Sequence, residues 1–189
     1  MIKKLLEKYV PKNEQETIDK EVMLDFIENN SDYLERTNKV AHMSSSAIVV
    51  NKQMDKVLFA HHNIYNSWGW VGGHNDGDDN PLRVAIRETK EETGLENVTP
   101  YSEDIFIIDI IVVFNHLKHG KYLNDHLHLN TTHLLIADEN DEVFVKPDEN
   151  SGVQWFDIET VMDYVTEERI KAVYKKAFNN IKRLKLENE

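Results

Sequence analysis

The chain has 189 residues, 40% of them hydrophobic and three of them tryptophan, which is enough to bury one core and an appendage. A net charge of -12 argues against bulk nucleic-acid binding and against contact with anionic membranes, because both need basic patches. No cysteine is present, so disulfides and thiolate chemistry are excluded, and the opening MIKKLLEKYV is too short and too charged for a signal peptide or membrane span, which makes a cytoplasmic location the expectation.

Residues 1–42 read as a polar, mostly helical N-terminal extension, and residues 43–189 as the main domain with a closing helix. In the extension Leu5, Tyr9, Ile18, Val22, Met23 and Phe26 recur at helical spacing, and Pro11 and Asn13 separate two short helices. Their apolar stripe is expected to pack on the main domain, or on a second copy of the chain in a homodimer, rather than to hold a ligand. Two strands follow, MSSSAIVV and KVLFAHH, joined at Asn51 to Asp55.

SWGWVGGH comes next. Trp68 and Trp70 stand just before Gly72 and Gly73, where a base or another ring can stack, although aromatic side chains more often fill cores. A helix is expected at about 80 to 93: Asp79 or Asn80 can cap its first amides, Pro81 suits its first turn, and Gly94 can take the left-handed conformation that ends it. At about 100 degrees per residue, Leu82, Ala85, Ile86, Thr89 and Thr93 share one arc. Glu88, Glu91 and Glu92 share another. Crowded carboxylates repel unless something offsets them, and a divalent cation does so. Arg87, four residues before Glu91, can also hold that side chain by an ion pair. From spacing alone, an ordinary charged surface helix explains the pattern as well.

The segment from Gly73 to Leu95, GHNDGDDNPLRVAIRETKEETGL, resembles the Nudix box: glycine, five residues, glutamate, seven residues, then Arg-Glu-apolar-x-Glu-Glu-x-Gly-apolar. Gly73, Arg87, Glu88, Glu91, Glu92, Gly94 and Leu95 match it. Asp79 stands where the family has glutamate, and Thr89 takes an apolar position. The resemblance, covering about 43 to 165, implies an α/β fold, a Nudix-type α/β/α sandwich with a mixed sheet. It also implies a hydrolase that cleaves a diphosphate in a small phosphorylated substrate with Mg2+, or Mn2+, as cofactor. Carried onto this chain, it makes Glu88 and Glu92 metal ligands, Glu91 ligand or base, the Gly72 carbonyl a further ligand, and Arg87 the residue that orients carboxylates. Attack of water on phosphorus, with Glu88 or Glu91 as base, is the expected chemistry. Isopentenyl diphosphate isomerases share the fold but as a family use a cysteine, which this chain lacks. The alternative is a Nudix-fold sensor that binds a nucleotide or sugar diphosphate without cleaving it.

After the box, DIFIIDIIVVF, HLHLNTTHLLIA, EVFV and GVQWF read as strands, and the chain from about 157 as helical, with a basic patch at Lys171, Lys175, Lys176, Lys182 and Arg183. His126 and His128 alternate with leucines and so point to one side of their strand, with His133 further along. Substrate contact is the expectation for this pair, ahead of a second metal site. Glu149 precedes the GVQWF strand, where many Nudix enzymes supply an extra carboxylate. The substrate markers of known subfamilies are a proline for ADP-ribose enzymes, a tyrosine for dinucleoside polyphosphate enzymes and a Ser-Gln-Pro-Trp-Pro run for NADH enzymes. None stands at its place in SEDIFIIDIIVVFN, so no substrate subclass is supported beyond a nucleoside diphosphate derivative.

Overall fold

The computed structural model describes residues 1–118 and 120–187. Its spine is a pair of long parallel strands, β1 (Ala41–Val50) and β9 (His126–Ala137), in register from Ala41 opposite Leu127 to Val50 opposite Ile136. Strand β1 therefore begins two residues before the expected Met43, because Ala41 and His42 already pair with β9. The remaining strands add to this pair. β2 (Lys56–His62) and β4 (Val71–His74) both run antiparallel to β1, taking its end and its middle respectively. β3 (Ser67–Gly69) and β10 (Asn150–Asp157) flank β2, while β5 (Val98–Pro100) and β6 (Ile107–Val113) share β9. A separate hairpin joins β7 (His116–Lys118) to β8 (Lys121–Leu123).

The period-2 alternation of a strand assigns each residue a layer. On β1, Ala47 and Val49 pack with Ala85 of helix α3 (Pro81–Thr93), while Ile48 and Val50 pack with Tyr174, Ala177, Phe178 and Ile181 of helix α4 (Lys171–Glu187). The sandwich of helix, mixed sheet and helix is thus the expected one. Helices α1 (Ile2–Lys8) and α2 (Glu14–Asn29) seat Ile2, Leu6, Met23 and Ile27 on Met43, Ile108 and Leu129. The extension is therefore packed on the main sheet. Ile18 and Val22, expected in the buried stripe, are exposed, and Glu16 is buried instead.

Two further expectations need correction. EVFV forms no strand: the Phe144 amide donates to the Thr93 carbonyl at 2.7 Å, so this stretch closes the end of α3 instead of joining a sheet edge. The basic patch is not a continuous exposed surface, because Lys176 is drawn inward between Glu16 at 3.2 Å and Asp109 at 2.8 Å. Lys171 and Lys182 pair with Glu168 and Glu159. Among the described residues no helix is long and apolar enough to cross a membrane.

Candidate active site

Helix α3 runs from the expected start to the expected stop. Asn80, not Asp79, is the cap, its side chain accepting from the Arg83 amide at 3.1 Å, and Gly94 ends the helix at φ 74. Asp79 instead accepts from the Ile2 amide at 3.0 Å and so ties α1 to the loop before α3. The carboxylate that departs from the box pattern thereby serves to dock the extension.

The three box glutamates differ in environment. Glu92 is buried beside the Gly72 backbone, whose N–H donates to Oε1 at 2.8 Å, and burial pushes its carboxyl up to about 8. Burial also raises Glu88, opposed by the Arg87 guanidinium, which donates to its Oε1 at 2.8 Å. Glu91 is about half exposed, with Lys146 Nζ at 3.6 Å and Arg87 Nε at 3.9 Å. The expected Arg87–Glu91 pair exists but is the looser contact; Arg87 is held chiefly by Glu88 and by the His74 carbonyl at 3.3 Å. Gly73 has a steric reason to be glycine, since a Cβ there would lie 2.4 Å from Glu88 Cδ.

These carboxylates line a cavity of about 920 Å³, within the usual range for small-ligand pockets. Trp68, Trp70, His126, His128 and Glu149 line it as well, so these side chains reach one space with the box glutamates, whereas Asp79 and the buried His133 do not line it. Both tryptophans also pack: Trp68 sits edge-on to Phe156, and Trp70 edge-on to Tyr174. Glu149 is brought close by a turn in which its amide donates to the Lys146 carbonyl at 2.8 Å and Asn150 Nδ2 donates to the Glu92 carbonyl at 2.9 Å.

Sequence reasoning missed three contributors. Lys146 stands between Glu91 and Glu149, 3.6 and 3.2 Å from their oxygens. His62 Nε2 donates to the Trp70 carbonyl at 2.7 Å, and burial lowers its pKa, so it faces Glu92 Oε2 at 3.9 Å as a neutral ring and makes no ion pair. The third is the polar cavity floor, where Ser44 and Ser46 both donate to Asn130 Oδ1 at 2.9 Å. A signal for it was present. On β1 the positions 42, 44 and 46 are polar before Ile48 and Val50, and on β9 His126, His128, Asn130 and Thr132 precede Leu134 and Ile136 on the same side. One side of the spine thus changes from cavity floor to core under α4.

The sequence model of the NUDIX domain family matches residues 41–178, so the chain belongs to the Nudix family. No curated protein matches the sequence. Among solved structures, a NUDIX family hydrolase from Clostridium perfringens is 23% identical with a TM-score of 0.52, over 76% of this chain and 97% of that one. The E. coli dihydroneopterin triphosphate pyrophosphohydrolase is 14% identical with a TM-score of 0.55, over 73% and 95%. An Ap4A hydrolase from C. elegans is 19% identical with a TM-score of 0.50, over 71% and 93%. At these identities the likeness is one of fold.

Proposed function

We propose that this chain is a magnesium-dependent pyrophosphohydrolase that opens the diphosphate of a nucleoside diphosphate derivative by attack of water on phosphorus. The observation that carries this reading is a single cavity of about 920 Å³ lined by Glu88, Glu91 and Glu92 together with Trp68 and Trp70. Such a volume suits a nucleoside-sized ligand better than phosphate alone.

The donor set fits a hard divalent cation. Glu92 is buried with a raised pKa, and among the described residues no lysine or arginine lies within ion-pairing distance of it. Carboxylate oxygens select magnesium or manganese over softer metals. Glu88 and Glu92, with Glu91 and the Gly72 carbonyl, would hold the ion. When bound, it supplies the positive charge that offsets repulsion between the diphosphate oxygens and an incoming water.

The chain's own residues divide the remaining work. Arg87 fixes the Glu88 carboxylate. Glu91, the least buried of the three, takes the proton from the attacking water, and Lys146 holds it within reach of the cavity. Trp68 and Trp70 offer ring faces or edges to the base, Glu149 adds a carboxylate to the rim, and His126 and His128 border the substrate space.

The test is a panel of nucleoside diphosphate compounds incubated with magnesium, beside Glu91→Gln and Glu92→Gln. Turnover by the wild type with the oxygen-18 of solvent appearing in a phosphate product supports the reading. Binding without turnover turns it into a sensor, label only in the non-phosphate product excludes attack on phosphorus, and wild-type rates in both variants place the chemistry elsewhere.

A further inference from the structure

The geometry points to a second cation site, built by His42, His74, His126 and His128 and suited to a borderline transition metal such as zinc. One ring nitrogen from each of the four lies within 4.8 Å of the others. The residues come from three strands: His42 from β1, His74 from the end of β4, and His126 and His128 from β9. His42 is the cross-strand partner of His128, and its ring centroid is 5.0 Å from those of both His74 and His126.

Hydrogen bonds fix two of the tautomers. His42 Nδ1 lies 3.1 Å from the Asn38 carbonyl, and His126 Nδ1 lies 2.8 Å from the Asn124 carbonyl. A carbonyl only accepts, so in each neutral ring the proton sits on Nδ1 and Nε2 carries a lone pair. A backbone carbonyl on the far nitrogen is how metal-binding imidazoles are ordinarily oriented. His42 Nε2 is buried without a hydrogen-bond partner among the described residues, an arrangement that is unfavourable unless an electrophile meets it.

The spacing agrees with tetrahedral coordination. Zinc–nitrogen bonds of about 2.0–2.1 Å place donor nitrogens roughly 3.3 Å apart. His126 Nε2 and His128 Nε2 are 3.3 Å apart. Bringing the widest pair together from 4.8 Å needs a contraction of roughly 1.5 Å, within reach of small side-chain rotations. With no carboxylate among the four, the set favours zinc, cobalt or nickel over magnesium. The two sites would then sort two cations by ligand chemistry within one cavity. They are also linked: the His74 carbonyl accepts from Arg87, which holds Glu88, so a metal on His74 stiffens the mount of a box carboxylate.

The inference does not rest on the diphosphate reading, and its test needs no turnover. Chelator-stripped full-length protein is titrated with zinc in excess magnesium, and its coordination is read by zinc-edge X-ray absorption. The expected result is one zinc per chain with imidazole nitrogens as neighbours, retained in a Glu91→Gln, Glu92→Gln double variant. His42→Ala and His126→Ala should each weaken uptake by more than the roughly 10- to 100-fold typical of losing an outer partner. No zinc uptake in magnesium, oxygen-only neighbours, or uptake lost in the glutamate variant and unchanged in the histidine variants would overturn it. The wild-type spectrum decides the matter even if a histidine variant fails to fold.

Discussion

At the scale of single residues, two side chains have consequences that solution measurements reach directly. A methyl at Gly73 would overlap the far end of Glu88, a flexible group that can swing away, so Gly73→Ala should keep the fold and misplace the carboxylate by about 1 Å. We expect kcat/KM to fall about 100-fold with the thermal midpoint nearly unchanged; wild-type rates would mean that Glu88 is not held there for the reaction. His133 is the second case. It is fully buried, and burial pushes its pKa down from 6.5 to about 4. The unfolded chain takes up this proton as pH falls through 6.5, while the folded chain does not until about 4, so stability is lost across that window. At about 1.4 kcal/mol per pH unit, the loss by pH 5 is on the order of 2 kcal/mol relative to pH 7. Urea unfolding of wild type and His133→Leu at both values isolates the contribution of His133, because other titrating groups are common to the two proteins. An equal pH slope in both would refute it.

At the scale of elements, Lys176 binds α4 to α2 and β6. Its ammonium reaches Glu16, Asp109, the Ile108 carbonyl at 2.8 Å and Gln15 at 2.9 Å, largely out of solvent. Removing one member of a buried charge cluster strands the others, so Lys176→Met should cost about 3–5 kcal/mol in urea unfolding. A cost below about 1 kcal/mol would show that water reaches the carboxylates. This contact was illegible in the sequence, where Lys176 read as one of a basic run and Glu16 as one of many surface acids; only the packing of α2 on β6 brings them together. Helix α3, by contrast, was legible almost to the residue. Its signals are local: a cap, Pro81, a glycine with positive φ, and carboxylates at fixed spacing. EVFV misled because its alternation is equally local, whereas a strand requires a free neighbouring edge. The histidine cluster lies between these cases. His126 and His128 were visible as a pair, but His42 and His74 join them only through strand register.

At the scale of the whole molecule, the question is whether the N-terminal helices are an arm or part of the core. Ile2, Leu6 and Met23 are wholly buried, Ile27 nearly so, and Asp79 accepts from the Ile2 amide just before the box helix. At about 1.5–3 kcal/mol for each large apolar side chain, these four contribute on the order of 6–12 kcal/mol as an upper estimate, comparable with the whole stability of an ordinary domain. Their removal also uncovers Met43, Ile108 and Leu129, an apolar patch in the middle of the sheet. Deleting residues 1–38 should therefore abolish cooperative unfolding, raise dye binding to exposed apolar surface and drive aggregation. A detachable dimerisation arm predicts something else: a soluble, well-folded remainder whose mass in solution is halved while its melting is kept. Scanning calorimetry with light scattering on the full and shortened chains separates the two, and a retained melting transition in a monomeric remainder would remove the helices from the core.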